Sequence, residues 1–526
     1  MSTRMLPNPR TSVRRALAAL ALLALATGAR AQEGRPAFSV IQLNDVYRID
    51  AVENGRAGGL GRIATLAERT RRSTGAPVMI FHAGDFIAPS LESRYFAGIQ
   101  MIDAMNFLHA RAPLLAVPGN HEFDERRPAM LAGAINASRF PWLAANVRLN
   151  TGDAAADRRF LPDTVVTVGG MRVGVFSVTF LDSPRDYAVA DTAVVAIADR
   201  KMTELERRGA EAIVALTHLD LAQDRRIAAL KRTHPRLLWV AGGHEHFLIH
   251  DPATDSSALV TKGDSNARRV WRVAFSRRGG QPVVSADSVV IDASIPVDPA
   301  YQAQVVDRYR AALREKVPFF DARIGTSATP LNGTEETVRD AESSWGNYLA
   351  DVMRGAFPDV PADVAVLNGG AIRIDDTFEG PIRWEHLART FGFPTRVGLV
   401  WLRGRDLRQY VLEQGVSGGR GEGRFLQVSG LRFTFDRSKR PGERVTKVEM
   451  RQGDGWAPLV DDRVYTVAVP DYLYGGGDGY HFKDRAIMTT PPGPDVRLMV
   501  FDALSAAFAR GESIAPKVEG RITEIR

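Results

Sequence analysis

The chain has 526 residues, 45% hydrophobic and 25% charged, the balance of a globular enzyme of two or three domains and not of a disordered or fibrous chain. It contains no cysteine, which excludes disulfides, thiolate metal sites and cysteine nucleophiles and leaves any metal to His, Asp, Asn and similar ligands, a set suited to Mn, Zn, Co or Mg. Of its net charge of +7, five arginines fall in residues 1–31, leaving 63 basic against 61 acidic side chains and a net +2, which gives no case for nucleic-acid or membrane partners.

In chain order, the first element is a leader. Arg4, Arg10, Arg14 and Arg15 precede the apolar run Ala16–Ala26, followed by Ala29-Arg30-Ala31. A basic start, a short apolar core and a small-residue site predict a secretory signal over residues 1–31, and hence export to the periplasm or the medium. Arg14-Arg15 leaves general and twin-arginine export both open. No later segment is long and apolar enough to span a bilayer, so no membrane attachment is expected once the leader is removed.

Five short apolar runs follow, each ending in residues that bind metals. Phe38–Leu43 ends at Asn44-Asp45, and Val78–Phe81 at His82-Ala83-Gly84-Asp85. Leu114–Val117 runs into Pro118-Gly119-Asn120-His121-Glu122-Phe123-Asp124. Ile213–Leu216 ends at Thr217-His218, and Leu237–Val240 at Ala241-Gly242-Gly243-His244-Glu245-His246. Runs of this length between helix-like stretches predict buried parallel strands, so residues 36–295 read as an α/β layered domain. Open α/β sheets bind ligands where the carboxyl ends of their strands meet. A lone Asp after a strand is usually a cap or turn residue, but five such ends in one order converge on one site.

Residues 296–317, with Pro299 at the start and charged spacing through Asp307, Arg308, Arg310, Arg314 and Lys316, predict a solvated connecting helix. Residues 318–526 carry a second, strand-rich pattern with several glycine clusters, a smaller α+β unit.

Hydrolysis of a phosphate ester at neutral pH requires an activated water and neutralisation of charge on the phosphoryl oxygens. Two cations about 3.5–4 Å apart, bridged by a carboxylate, do both. Asp85 suits the bridge, Asp45 and His246 one ion, and Asn120, His218 and His244 the other. His121 and Asp124, three apart, suit an imidazole that donates to phosphate or leaving group while a carboxylate orients it. His82 reads as a packed histidine, and His109, His234, His250, His386 and His481 as structural or surface residues.

The set resembles the calcineurin-like metallophosphoesterases, and in particular the 5'-nucleotidase family, through Gly119–Asp124, His82–Asp85 and Gly242–His246. The resemblance implies Asp45, Asp85, Asn120, His218, His244 and His246 as ligands of two divalent ions, with His121 and Asp124 as the catalytic pair. One departure stands out. The family usually carries Asp-x-His on its first strand, and here the sequence is Asp45-Val46-Tyr47, which reads as one ligand fewer for the first ion.

The likeness continues through Arg339–Asn347, Asn368-Gly369-Gly370-Ala371-Ile372-Arg373, Phe391-Gly392-Phe393 and Pro470–Tyr480. It implies that Arg339 and Arg373 grip the substrate phosphate and that Asn368 lines the pocket. Phe393 and Tyr472 would stack on the base, and Asp478 would accept from ribose hydroxyls. Aromatic stacking tolerates any base, at roughly 1–3 kcal/mol each. The family's usual Pro-Phe-Gly-Asn is replaced here by Gly392-Phe393-Pro394-Thr395, which reshapes the base pocket. The expected activity is release of phosphate from nucleoside 5'-monophosphates. Cyclic nucleotides, nucleoside-diphosphate sugars or a sulfur ester on the same scaffold stay open, as does a nucleotide-binding protein with a weakened metal site. A substrate held by both halves requires a cleft between them, with a hinge expected near residues 296–340.

Overall fold

The computed structural model describes residues 35–181 and 185–525; the expected leader lies outside them. The five apolar runs form strands β1 (Phe38–Leu43), β2 (Val78–Ala83), β3 (Leu114–Val117), β4 (Ala212–His218) and β5 (Leu237–Gly242). Nearly every residue in them is buried, as strands covered on both faces demand.

Among the described residues, β1, β2 and β3 lie side by side in a seven-stranded sheet. Their pairing is parallel, with Leu43 opposite His82 and Ala83 opposite Val117. Strands β4 and β5 are parallel neighbours in a six-stranded sheet, with Leu216 opposite Ala241. The sheets pack face to face through Val40, Phe81, Val117, Val214, Trp239 and Val273. Helices Leu60–Thr74, Ile99–His109 and Pro128–Ala137 cover the outer face of the first sheet, and Val194–Arg207 and Leu221–Ala228 that of the second. Leu60–Thr74 shows the sequence logic: Leu60, Ile63, Ala64, Leu66 and Ala67 are buried at helical spacing, and the helix stops at Gly75 with φ 68°, a left-handed cap that glycine adopts without strain.

Asp298 opens the connecting helical segment, its Oδ1 accepting from the Ala300 and Tyr301 amides at 2.8 and 3.0 Å, with Pro299 in the first turn. The expectation of a solvated helix is corrected. Tyr301, Val305, Val306, Tyr309 and Leu313 are buried, and Tyr301 Oη donates to the Ile49 carbonyl at 2.7 Å. The apolar positions recur at helical intervals between exposed Asp307, Arg308 and Arg314, so one face is clasped to the N-terminal domain and the other is wet.

Beyond it, Val364–Asn368, Val397–Arg403, Leu426–Ser429, Val464–Pro470 and Met488–Thr489 form a five-stranded sheet. Helices Ser344–Arg354 and Val496–Ala509 pack on one face through Trp345, Leu349 and Leu504. A second core, around Phe433, Val448 and Val467, joins this sheet to a four-stranded one. The α/β plus smaller α+β architecture is the one expected. The halves meet through an apolar cluster of Leu91, Leu313, Val317, Phe320 and Ala388, through the buried pair Arg389–Glu92 (2.7 Å) and through the partly buried pair Arg48–Asp376 (2.9 Å).

Candidate active site

The carboxyl ends of β1, β2, β4 and β5 converge because the two sheets face each other with those ends at one edge. Asp45, Asp85 and His218 bring one ligand atom each to within 4.8 Å of one another, all three side chains buried. His218 Nε2 is 3.4 Å from Asp85 Oδ2 and 3.0 Å from Asn120 Oδ1, while its Nδ1 faces the Ala83 carbonyl at 2.7 Å. His244 packs edge-on to His218, ring centroids 5.5 Å apart. His246 Nε2 is 3.4 Å from Asp45 Oδ1. The Tyr47 phenol oxygen lies 3.4 Å from Asp45 Oδ1, 3.3 Å from Asp85 Oδ2 and 3.1 Å from His246 Nε2.

Backbone strain is concentrated here. Asp45, Asp85 and His244 have φ of 53°, 60° and 84°, left-handed values that cost a non-glycine residue of order 1–3 kcal/mol. Crowding explains two glycines in the motifs. A Cβ on Gly119 would stand 2.1 Å from Asp85 Oδ1, and one on Gly243 would stand 2.0 Å from the Ala83 carbonyl.

Electrostatics show what the cluster wants. Burial works against charge on His218, yet Asp85 and then Asp45 outweigh it and push the imidazole up to about 10. Burial likewise opposes ionisation of Asp85, but His218 and His121 hold it well below the usual carboxylate range. Two buried carboxylates thus demand positive charge between them. Divalent ions supply that charge, and the donor set of carboxylate, amide and imidazole fits them.

Burial, then Asp85 and Asp45, raise the Tyr47 phenol well above its ordinary value.

Glu122, unassigned in the sequence reading although it sits inside the Gly119–Asp124 motif, organises the turn. Its carboxylate accepts from the amides of Asp85 (2.9 Å), Phe86 (2.8 Å), Ile87 (3.0 Å) and Gly119 (2.5 Å). Burial, with Asp85 adding to it, lifts Glu122 to about 7. Lys262, also unforeseen, is buried against Asp224 at 2.8 Å and donates to the Gly243 carbonyl at 2.8 Å, pinning the loop that carries His244.

His121 Nδ1 bonds Asp124 Oδ2 at 2.7 Å, and its Nε2 points to within 3.9 Å of Asp85 Oδ2. Burial would lower this imidazole, but Asp124 and Asp85 more than reverse that and lift it to about 9. A proton on Nε2 therefore faces the cluster near neutral pH.

The C-terminal domain reaches into the same space. Glu335 Oε1 lies 2.5 Å from His246 Nδ1 and 2.6 Å from Arg339 Nη2. Arg373 is partly buried, its guanidinium 5.3 Å from the Tyr47 ring and 5.8 Å from the Phe393 ring. Its Nε and Nη1 have no partner among the described residues. Phe393 lies 5.8 Å from the His121 ring. The remaining predicted residues form a neighbouring group: Asp478 accepts from Asn368 Nδ2 at 2.8 Å and from Tyr472 Oη at 3.0 Å. Tyr472 is 55% exposed. The structure thus gathers Asp45, Asp85, Asn120, His121, Asp124, His218, His244, His246, Arg339, Arg373 and Phe393 at the junction, while Asn368, Tyr472 and Asp478 are joined to one another by hydrogen bonds. His82 is buried outside this set, edge-on to Phe86.

The sequence profile described as Calcineurin-like phosphoesterase matches residues 38–248, and the one described as 5'-nucleotidase, C-terminal domain matches 323–484. The chain belongs to the 5'-nucleotidase family. It is a phosphoric ester hydrolase on a metallophosphoesterase scaffold. It is 28% identical to the 5'-nucleotidase of Bos taurus over 98% of this chain and 95% of that one. A 5'-nucleotidase precursor from Thermus thermophilus superposes with a TM-score of 0.76 at 25% identity, covering 93% of this chain and 99% of that one. The sulfate thiohydrolase SoxB from Thermus thermophilus shares the fold, with a TM-score of 0.69 at 17% identity over 93% of this chain and 97% of that one. No described helix is long and apolar enough to cross a membrane.

Proposed function

We propose that this family member removes the phosphate from nucleoside 5'-monophosphates, acting outside the cytoplasm after loss of residues 1–31. Two divalent ions would be held by Asp45, Asp85 and His246 on one side and by Asp85, Asn120, His218 and His244 on the other. When bound, they supply an activated water and neutralise charge on the phosphoryl oxygens.

The observation that carries the reading is Arg373. A buried guanidinium with Nε and Nη1 unpaired, beside the Asp45–Asp85 cluster, is a costly arrangement unless an anion completes it. A phosphoryl group between Arg373 and the cluster meets both requirements. His121, kept protonated by Asp124, would then donate to a phosphoryl or leaving-group oxygen. Asn368, Tyr472 and Asp478 would hold the nucleoside, with Phe393 on the other face of the base. Residues 36–295 and 318–526, joined by 296–317, are the proposed domains.

Steady-state hydrolysis, read as phosphate from AMP and an aryl phosphate and as nucleoside monophosphate from a 2',3'-cyclic nucleotide and a nucleoside-diphosphate sugar, tests this. The highest kcat/KM on AMP supports the reading. Turnover of any other substrate at least tenfold above AMP would overturn it.

A further inference from the structure

The short helix Leu91–Phe96 belongs to the N-terminal domain, yet it is built against the C-terminal one. Ser90 caps it, its Oγ accepting from the Ser93 amide at 3.0 Å, and Ser93 Oγ donates to the Ile87 carbonyl at 2.5 Å, so the start of the helix is fixed by side chains. Leu91 shares the apolar cluster of the junction with Ala388, and Glu92 pairs with Arg389. Arg94 then reaches the segment that carries Phe393. Its Nη2 donates to the Phe391 carbonyl at 2.6 Å and its Nε to the Gly392 carbonyl at 3.3 Å.

The chain on either side of this contact differs. Before it, Phe391 is buried and bridged to Ile372, and the Thr390 carbonyl accepts from the Arg373 amide at 2.8 Å. After it, Phe393 is half-buried and Pro394 exposed. Gly392, between them, has the backbone freedom of a residue without a side chain. It is also tightly flanked: a Cβ there would stand 3.1 Å from Arg373 Cγ and 3.5 Å from Pro89 Cβ. The direction in which the Phe393 ring leaves the backbone follows from the peptide planes just before it. A guanidinium presents Nε and Nη donors in one rigid plane, so two successive carbonyls held by that fork are fixed against each other.

We propose that Arg94 is a positioning residue for the nucleobase: by clamping the Phe391 and Gly392 carbonyls it sets the Phe393 ring as the wall on which the base stacks. The clamp crosses the domain junction, so that wall is complete only when the two halves stand in this arrangement, and base recognition is tied to their closure. The inference rests on the nucleotidase reading and on Phe393 meeting the base. It concerns the base end of the substrate; the phosphate end is left to Arg373, His121 and the Asp45–Asp85 cluster. Arg94 itself is exposed, so its replacement leaves the apolar cores intact.

The test is steady-state phosphate release by the full mature chain from AMP and from ribose 5-phosphate, which keeps phosphate and sugar but has no base to stack. Arg94→Met is expected to raise KM for AMP and lower kcat/KM at least about fivefold, while kcat/KM for ribose 5-phosphate stays within about twofold of wild type. Arg94→Lys, which keeps the charge and one donor, is expected to regain part of the loss. Arg94→Met combined with Phe393→Leu is expected to lose no more on AMP than Phe393→Leu alone, because the clamp acts through the ring. Equal loss on both substrates would make Arg94 a general brace of the junction and overturn the positioning role. An unchanged kcat/KM for AMP, or additive losses in the double variant, would overturn it equally; all three results leave the nucleotidase reading standing. A wild type that releases no phosphate from AMP would overturn that reading and this inference with it.

Discussion

His246 and Glu335 come from different domains and share a 2.5 Å hydrogen bond. Glu335 also pairs with Arg339 at 2.6 Å, so one carboxylate links a proposed metal ligand to a proposed phosphate-binding arginine. Burial opposes its charge, but Arg339 and His246 hold it well below the usual carboxylate range. Partners that orient a ligating histidine are typically worth 10–100-fold in metal affinity. Glu335→Gln is therefore expected to weaken binding of one ion by about that factor and to raise KM for AMP, as measured by calorimetric metal titration and steady-state kinetics. Unchanged affinity for both ions would contradict the link.

Asp85 and His121 separate metal binding from rate. Asp85→Asn removes the bridging charge and is expected to lose metal and activity together. His121→Asn is expected to keep both ions and lose about 10²–10⁴ in kcat, the usual worth of a positioned proton donor. Metal content by elemental analysis decides; equal metal loss in the two variants contradicts the roles assigned.

Arg373→Met removes the unpaired guanidinium. Charged hydrogen bonds contribute about 1.5–3 kcal/mol, so kcat/KM for AMP is expected to fall about 10- to 100-fold at unchanged metal content. An unaltered kcat/KM would exclude Arg373 from phosphate binding.

His82 predicts a pH effect. The side chain is buried, neither ring nitrogen has a partner among the described residues, and burial lowers its pKa to about 3. The unfolded chain protonates this residue near about 6.5, so between the two values the unfolded state binds more protons. Its contribution is full above about 6.5 and is lost as pH falls toward 3, at up to about 1.4 kcal/mol per pH unit. Denaturant titrations of His82→Leu are expected to show a shallower acid limb than wild type; an identical slope would refute the assignment.

The Arg389–Glu92 pair, at 2.7 Å and with both residues buried, crosses the domain junction. Arg389→Met leaves a buried carboxylate without its cation and is expected to cost about 3–5 kcal/mol, whereas Arg389→Met with Glu92→Met is expected to be near neutral or stabilising. Thermal melts of the three chains test it: equal melting temperatures would show that the pair is not desolvated.

The residues that gather at the strand ends were legible because buried parallel strands read as short apolar runs, and each run stops shortly before one of them. Asp45, Asp85 and His244 fall two residues past such a strand, and His218 is the last residue of one. Contacts that cross the domains leave no local pattern. Glu335 lies 89 residues from His246 and has an ordinary place in a short helix beginning after Thr334. Lys262 reads as the polar end of a strand, yet it is buried against Asp224. The connecting helix looked solvated because charged residues separate Tyr301, Val305, Tyr309 and Leu313, whose common face emerges only when the helix is wound. Tyr47 reads in sequence as one ligand fewer; that its oxygen lies among Asp45, Asp85 and His246 emerges only in the fold.

The most direct test of the account is phosphate release from AMP by the mature chain, stripped with chelator and resupplied with one metal at a time. The account predicts no turnover in the stripped protein and recovery with at least one of Mn, Co, Zn or Mg. Undiminished turnover after stripping, or none with any metal, would contradict it.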